Sequence, residues 1–263
     1  MRLTVSFQII DFCNMNCSGC NHFSPLASFG SMMSACEFKE IAERLSFLCG
    51  ENIHICKIII VGGEPLLHPE LKQILAITKS VFCNASVDIL TNGTLIKMLD
   101  KDTIDMIIST KAQFCCSDYH VGTDEIYNVS SRICDRKLFN YRYISDKKKD
   151  FSRLVCSVYR RRDGTALEDH PAHTNQINKN GDFFFCCIPA NIHFYNNYFG
   201  TEILPEKGND YFNIFESTQK DFMKNIVKSI TCRKYAFCDY CRTPETGLWK
   251  RYEKGEDLWI SQD

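Results

Sequence analysis

The run HICKIIIVGG at 54–63 leaves few folds open. Its middle is continuously apolar and rich in β-branched residues. That is the pattern of a strand buried on both faces in a parallel sheet, not of a strand with one wet face. A parallel strand needs a crossover, usually a helix, and the flanking segments supply them. LTVSFQII (3–10) reads as the preceding strand, and SACEFKEIAERLSFL (34–48) as the helix between. Ser34 and Glu37 stand at capping-box spacing, and Phe38, Ile41, Leu45 and Leu48 share one face. PELKQILAITKSV (69–81) reads as a second helix, with Pro69 suited to its first turn. SVDILTNG (86–93) and KAQFCCSD (111–118) read as the third and fourth strands. Repeated β-then-α order predicts an α/β fold, a parallel sheet with helices outside it.

Past about residue 140 the periodicity weakens. YISDKKKDFSRLVCSVYRRRDGT mixes charge with a short strand-like piece, GDFFFCCI (181–188) reads as a strand, and DFMKNIVKSI (221–230) as a short helix. There is no internal repeat and no low-complexity linker. With 263 residues, 44% of them apolar, the chain can bury a substantial core. A formal charge of −1 gives no general pull toward nucleic acid or anionic membrane. No run of 18 apolar residues offers a membrane span, and MRLTVSFQII lacks the layout of a signal peptide. The expected location is cytoplasmic, with no nucleic-acid or membrane partner.

Sixteen cysteines is a high count for such a chain. Disulfide scaffolds are usually small and lack a full core, so clustered cysteines here point to metal or catalysis. The scattered ones, Cys36, Cys49, Cys56, Cys83 and Cys134, read as small buried hydrophobes. Cys13, Cys17 and Cys20 form C-x3-C-x2-C, with no fourth cysteine nearby. Structural zinc wants four ligands, and His22 is close, but this is not the paired C-x2-C spacing of zinc sites. An iron–sulfur cube held by three cysteines leaves one iron open to a substrate or cofactor.

The triplet follows the first strand. The second strand ends in Gly62-Gly63-Glu64-Pro65 and the third in Thr91-Asn92-Gly93. These features resemble the cysteine triplet, the GGEP motif and a common third-strand ending of the radical S-adenosylmethionine (radical SAM) enzymes. They fall in the expected order at successive strand ends, the edge where α/β sheets bind ligands. The resemblance implies a partial (β/α)6 TIM-like barrel with a small cysteine-rich C-terminal extension. The core would span 1–160, reaching to about 180, and the extension 181–263. Cys13, Cys17 and Cys20 would bind a 4Fe–4S cluster whose open iron takes the amino and carboxylate groups of S-adenosylmethionine. Reductive cleavage would then release a 5′-deoxyadenosyl radical that abstracts hydrogen from substrate. Gly62, Gly63, Glu64 and Asn92 are the implied cofactor-binding residues, with Ser117 and Asp118 at the end of the fourth strand for the ribose. Where many members carry an aromatic residue before the third cysteine, this chain has Gly19, so Phe23 or His22 is expected to cover the adenine, and His22 reads equally as a donor to a cluster sulfur or as a plain loop residue.

The stretch CRKYAFCDYC (232–241), with Gly181 five residues before Cys186, resembles the layout of twitch and SPASM extensions. The resemblance implies one auxiliary 4Fe–4S cluster on Cys186, Cys232, Cys238 and Cys241, with Cys187 and Cys156 as other candidates. The window before Gly181 has no cysteine but holds His170 and His173, and structural zinc is the competing reading. Three enzymatic roles stay open: chemistry on a small molecule such as a sugar or nucleotide-linked compound, peptide modification, and activation of a glycyl-radical partner. A non-catalytic iron–sulfur or zinc protein is the fourth reading, and the GGEP motif counts against it. The basic clusters Lys147–Lys149 and Arg160–Arg162 are read as solvated surface before phosphate sites. A flavodoxin- or ferredoxin-type reductant is the implied partner. No catalytic acid or base is assigned; Tyr119, His120 and Tyr159 are read as core or loop aromatics.

Overall fold

The structure is a computed structural model that describes residues 1–18, 20–27, 31–117, 139–142, 151–152, 175–231, 235–237, 246–247 and 251–254. Strand β1 (Arg2–Ile10) alternates in character. Leu3, Val5, Phe7 and Ile9 belong to the core, while Thr4, Ser6 and Gln8 point to the other face. Helix α1 (Ala35–Cys49) covers the apolar face, and its Phe38 ring lies 4.8 Å from that of Phe7. The capping box is present: Glu37 donates its backbone N–H to Ser34 Oγ at 3.2 Å, and Ser34 N–H donates to Glu37 Oε2 at 2.7 Å. Phe38, Ile41, Leu45 and Leu48 are all buried. Each is worth about 2 kcal/mol, so this stripe rather than helix propensity holds α1 in place.

Strand β2 (His54–Gly62) runs parallel to β1 in the register Val5↔Ile58 and Phe7↔Ile60. Helix α2 (Leu71–Val81) starts after Pro69 and Glu70 rather than on the proline. Strand β3 (Ser86–Thr91) pairs with β2, and β4 (Gln113–Ser117) with β3. Between them stands α3 (Lys101–Thr110), a helix not anticipated above, capped by Asp100, whose side chain accepts from Thr103 N–H at 2.7 Å. The three helices pack in sequence, α1 on α2 and α2 on α3.

Strand β5 (Phe139–Arg142) adds parallel to β4. Short β6 (Phe151–Ser152) pairs antiparallel with β10 (Thr246–Gly247), away from the main sheet. Strand β7 (Gln176–Ile177) joins the free edge of β1 in parallel, then β8 (Asp182–Phe184) and β9 (Tyr211–Asn213) continue antiparallel. The eight-stranded order is β5-β4-β3-β2-β1-β7-β8-β9. The strand and helix order predicted the α/β sheet, and its partial TIM-like architecture is the one that the resemblance implied.

Two expectations change. The segment 181–188 is not one strand: β8 stops at Phe184, and Cys187 opens helix α4 (Cys187–Phe199) with Cys186 as its N-cap. Phe183 instead stacks on Phe212 at 5.1 Å, across the pairing of β8 with β9. Cys36 and Cys83 are exposed rather than buried, whereas Cys49 is buried and Cys56 half-buried. Cys36 lies in the first turn of α1 outside its apolar stripe, and Cys83 in the turn after α2. Helix α5 (Gln219–Thr231) extends the expected 221–230 helix and packs on α1. Among the described residues no helix is long and apolar enough to cross a membrane.

Candidate active site at the strand ends

The ends of β1 and β2 touch backbone to backbone. Gly63 N–H donates to Ile10 O at 2.8 Å, and Glu64 N–H to Phe12 O at 3.1 Å. A Cβ built on Gly62 would sit 2.1 Å from Ile10 O, and one on Gly63 would sit 2.0 Å from Phe12 O. The paired glycines therefore let the second strand press against the backbone that leads into the cysteine loop. The close approach that glycine permits here is to the loop itself.

Glu64 is fully buried, and its carboxylate ties two strand ends together. Oε1 accepts from Thr91 Oγ1 at 2.7 Å and from Leu66 N–H at 3.0 Å, and Oε2 accepts from Asn92 N–H at 2.8 Å. Asn92 in turn reaches the cysteine loop. Its Nδ2 donates to Asn14 Oδ1 at 2.9 Å and lies 3.6 Å from Cys13 Sγ, while its Oδ1 accepts from Thr94 N–H and Thr94 Oγ1 at 3.0 and 2.6 Å. Asn14 closes the circuit by donating to Thr94 Oγ1 at 2.9 Å. One continuous network thus joins the ends of β1, β2 and β3.

Burial holds the Glu64 carboxyl above its ordinary 4.5, with the Asn92, Thr91 and Leu66 donors pulling it back. The native chain therefore keeps a proton that the unfolded chain releases. This group's stabilisation is full below pH 4.5 and is lost as pH rises through its folded value. Glu64→Gln lacks that titration and turns an amide NH2 against a backbone or hydroxyl donor. It is expected to lower stability by about 2 kcal/mol, with the gap to wild type narrowing as pH rises. Urea unfolding across the acid range checks this; a variant as stable as wild type at every pH would contradict it.

The cysteine loop is shaped by its own backbone. Asn16 and Phe23 take left-handed φ of 54° and 51°, Cys20 N–H points to Cys17 O at 3.4 Å, and Phe23 N–H donates to Cys20 O at 2.9 Å. Cys13, Cys17 and Cys20 are all partly exposed. Burial pushes the Cys13 thiol up to about 12, opposed by the Met15 N–H that points to its sulfur at 3.5 Å. Burial likewise pushes Cys20 up, against the backbone donors of Ser24 and His22. Among the described residues no three His, Cys, Asp or Glu side chains stand together as a finished metal site. The donor chemistry nevertheless fits a cluster: three soft thiols on one loop, with N–H groups aimed at the Cys13 and Cys20 sulfurs to support negative charge.

Of the other expected residues, Ser117 closes β4, two strands from β2. Asp118, Cys232, Cys238 and Cys241 lie outside the described residues, as do Gly19, Tyr119, His120, Tyr159 and the two basic clusters. Cys186 caps α4 on the β7 side of the sheet. Three participants had no signal in the sequence. Asn14 and Thr94 are ordinary polar loop residues until the fold brings them to Asn92. The third is the segment around Arg251, which bridges to Cys17, while Tyr252 N–H donates to Asn16 O at 2.8 Å. On the sheet face turned away from α1–α3, Lys57 and Asp88 form a cross-strand ion pair at 2.7 Å.

The cysteine loop after β1, GGEP at the end of β2 and Asn92 after β3 thus meet at one edge of a partial TIM-like sheet, and solved structures share that fold. The chain's structure is similar to that of BtrN in complex with AdoMet and 2-DOIA, with a TM-score of 0.58 and 16% identity over 89% of this chain and 87% of that one. An open conformation of BtrN gives 0.51 and 18%, over 91% and 89%. No protein-family model matches the chain.

Proposed function

We propose that the chain is a radical SAM enzyme that acts on a small molecule. The observation that carries the reading is the junction of Cys13 with Asn92, 3.6 Å apart, beside the GGEP turn. Three motifs far apart in sequence meet where a cofactor would have to lie. Cys13, Cys17 and Cys20 would hold a 4Fe–4S cluster, and S-adenosylmethionine would lie against Gly62, Gly63, Glu64 and Asn92, with Ser117 and Asp118 toward its ribose. When bound, cluster and cofactor supply a 5′-deoxyadenosyl radical for hydrogen abstraction. The chain's own part is to fix the loop. The Glu64 and Asn92 hydrogen bonds set the distance between strand ends.

A small-molecule substrate is favoured because the similarity to BtrN, seen with AdoMet and 2-DOIA, runs over nearly the whole of both chains. A second cluster would use Cys186 with Cys232, Cys238 and Cys241, and a flavodoxin- or ferredoxin-type protein would supply electrons. The deciding experiment is low-temperature EPR on anaerobically reconstituted, reduced protein with and without S-adenosylmethionine. A 4Fe–4S signal that changes on adding the cofactor is expected, beside a second signal that does not. Protein that takes up no iron–sulfur centre would remove the reading in favour of zinc.

A further inference from the structure

Helix α4 opens with two adjacent cysteines, and their surroundings separate them. Asn21 Nδ2 donates to Cys187 Sγ at 3.5 Å. The His22 imidazole lies beside the same sulfur, and its Nδ1–H donates to Gly62 O at 2.8 Å. The turn that follows Cys20 is thus tied on one side to the end of β2 and on the other to Cys187.

The first turn of α4 is itself anchored. Asn191, fully buried, donates Nδ2 to Cys187 O at 2.8 Å and accepts from Gln8 Nε2 at 2.5 Å. Gln8 also donates to Asp11 Oδ1 at 2.6 Å and accepts from Gln176 Nε2. The strand that enters the cysteine loop and the turn that leaves it are therefore both referenced to one helix turn. An arrangement of this kind fixes the ligand loop by its outer partners.

Resting on the function proposed above, we infer that Cys187 is a positioning residue of the first cysteine site, and that Cys186 alone of the pair is left to a second centre. Cys187 acts through Asn21 and His22, holding the Cys20 turn against β2. Cys186, whose thiol lies against that of Cys187, then stands one residue removed from the first loop.

The test compares Cys187→Ala, Cys187→Ser, Asn21→Ala and Cys186→Ala with wild type, all reconstituted anaerobically with ferrous iron and sulfide. Total iron and sulfide, the EPR signals, and the rate of iron release to a ferrous chelator are read. Cys187→Ala and Asn21→Ala are expected to take up wild-type iron and to lose the S-adenosylmethionine-responsive signal about fivefold faster, the factor that one ordinary hydrogen bond represents. Cys187→Ser, which keeps an acceptor for Asn21, restores most of the wild-type rate. Cys186→Ala loses the unresponsive signal only. Loss of the unresponsive centre in Cys187→Ala would overturn the inference by making Cys187 its ligand. Wild-type release rates in both Cys187→Ala and Asn21→Ala would overturn it by making Cys187 plain packing. Wild-type protein that binds no cluster would instead sink the reading on which it rests.

Discussion

Cys17→Ala is expected to stop 5′-deoxyadenosine formation while leaving the chain folded. The two halves of that outcome have separate causes. Cys17 is only partly buried and sits on a loop outside the core. Its truncation removes one half-buried sulfur and leaves the backbone bridge to Arg251 in place, so the stability change should stay within about 0.5 kcal/mol. The chemistry has no such margin. Removing an outer partner of a metal ligand typically costs ~10–100-fold; if Cys17 is one of three cluster ligands, as proposed, its removal should cost more. Cys36→Ala and Cys83→Ala serve as controls, since both thiols are exposed and lie away from the loop. They should leave cofactor cleavage and melting temperature unchanged. Undiminished 5′-deoxyadenosine from Cys17→Ala, measured by chromatography after reduction with dithionite, would rule out the assignment of the loop.

The parts of this site legible in sequence are those whose physics is local. A strand paired on both edges inside a parallel sheet reads as a near-continuous apolar run, so HICKIIIVGG announces β2 without help from its neighbours. The capping box of α1 is likewise contained within four residues. What sequence left open depends on contacts between distant segments. Strand β7 is two residues long and gains its place by pairing with Ser6 and Phe7 on one edge and with Phe183 and Phe184 on the other. Helix α3 buries only Thr103, Ile107 and Thr110, too thin a stripe to stand out. Helix α4 did carry a signal that strand-forming phenylalanines masked. Pro189 lies in its first turn and Gly200 closes it with a φ of 69°, the usual asymmetry of proline at the start and glycine at the end. Glu64 shows the same division in one residue. Its motif points to a ligand site, yet only the fold shows its carboxylate joining β2 to β3.

Gly63→Ala is expected to damage both the fold and the site. The added methyl carbon would lie 2.0 Å from Phe12 O, 2.2 Å from Phe12 C and 2.8 Å from Cys13 N. These are backbone atoms, so no side-chain rotation relieves the clash. Either β2 separates from β1, with loss of the Gly63–Ile10 and Glu64–Phe12 hydrogen bonds, or the cysteine loop moves outward. Overpacking of this kind costs about 3 kcal/mol. Because the displaced atoms include the backbone nitrogen of Cys13, the cost should also appear as weaker cluster retention. Gly208→Ala separates this from the general penalty of losing a glycine. Its φ is 87° and nothing lies within 4 Å of the added carbon, so it should cost only about 1 kcal/mol and leave iron content intact. Urea unfolding and iron analysis on the two variants would distinguish steric contact from backbone strain. If Gly63→Ala matched Gly208→Ala on both measures, the tight crossing of β2 over the loop would not be what requires the glycine pair.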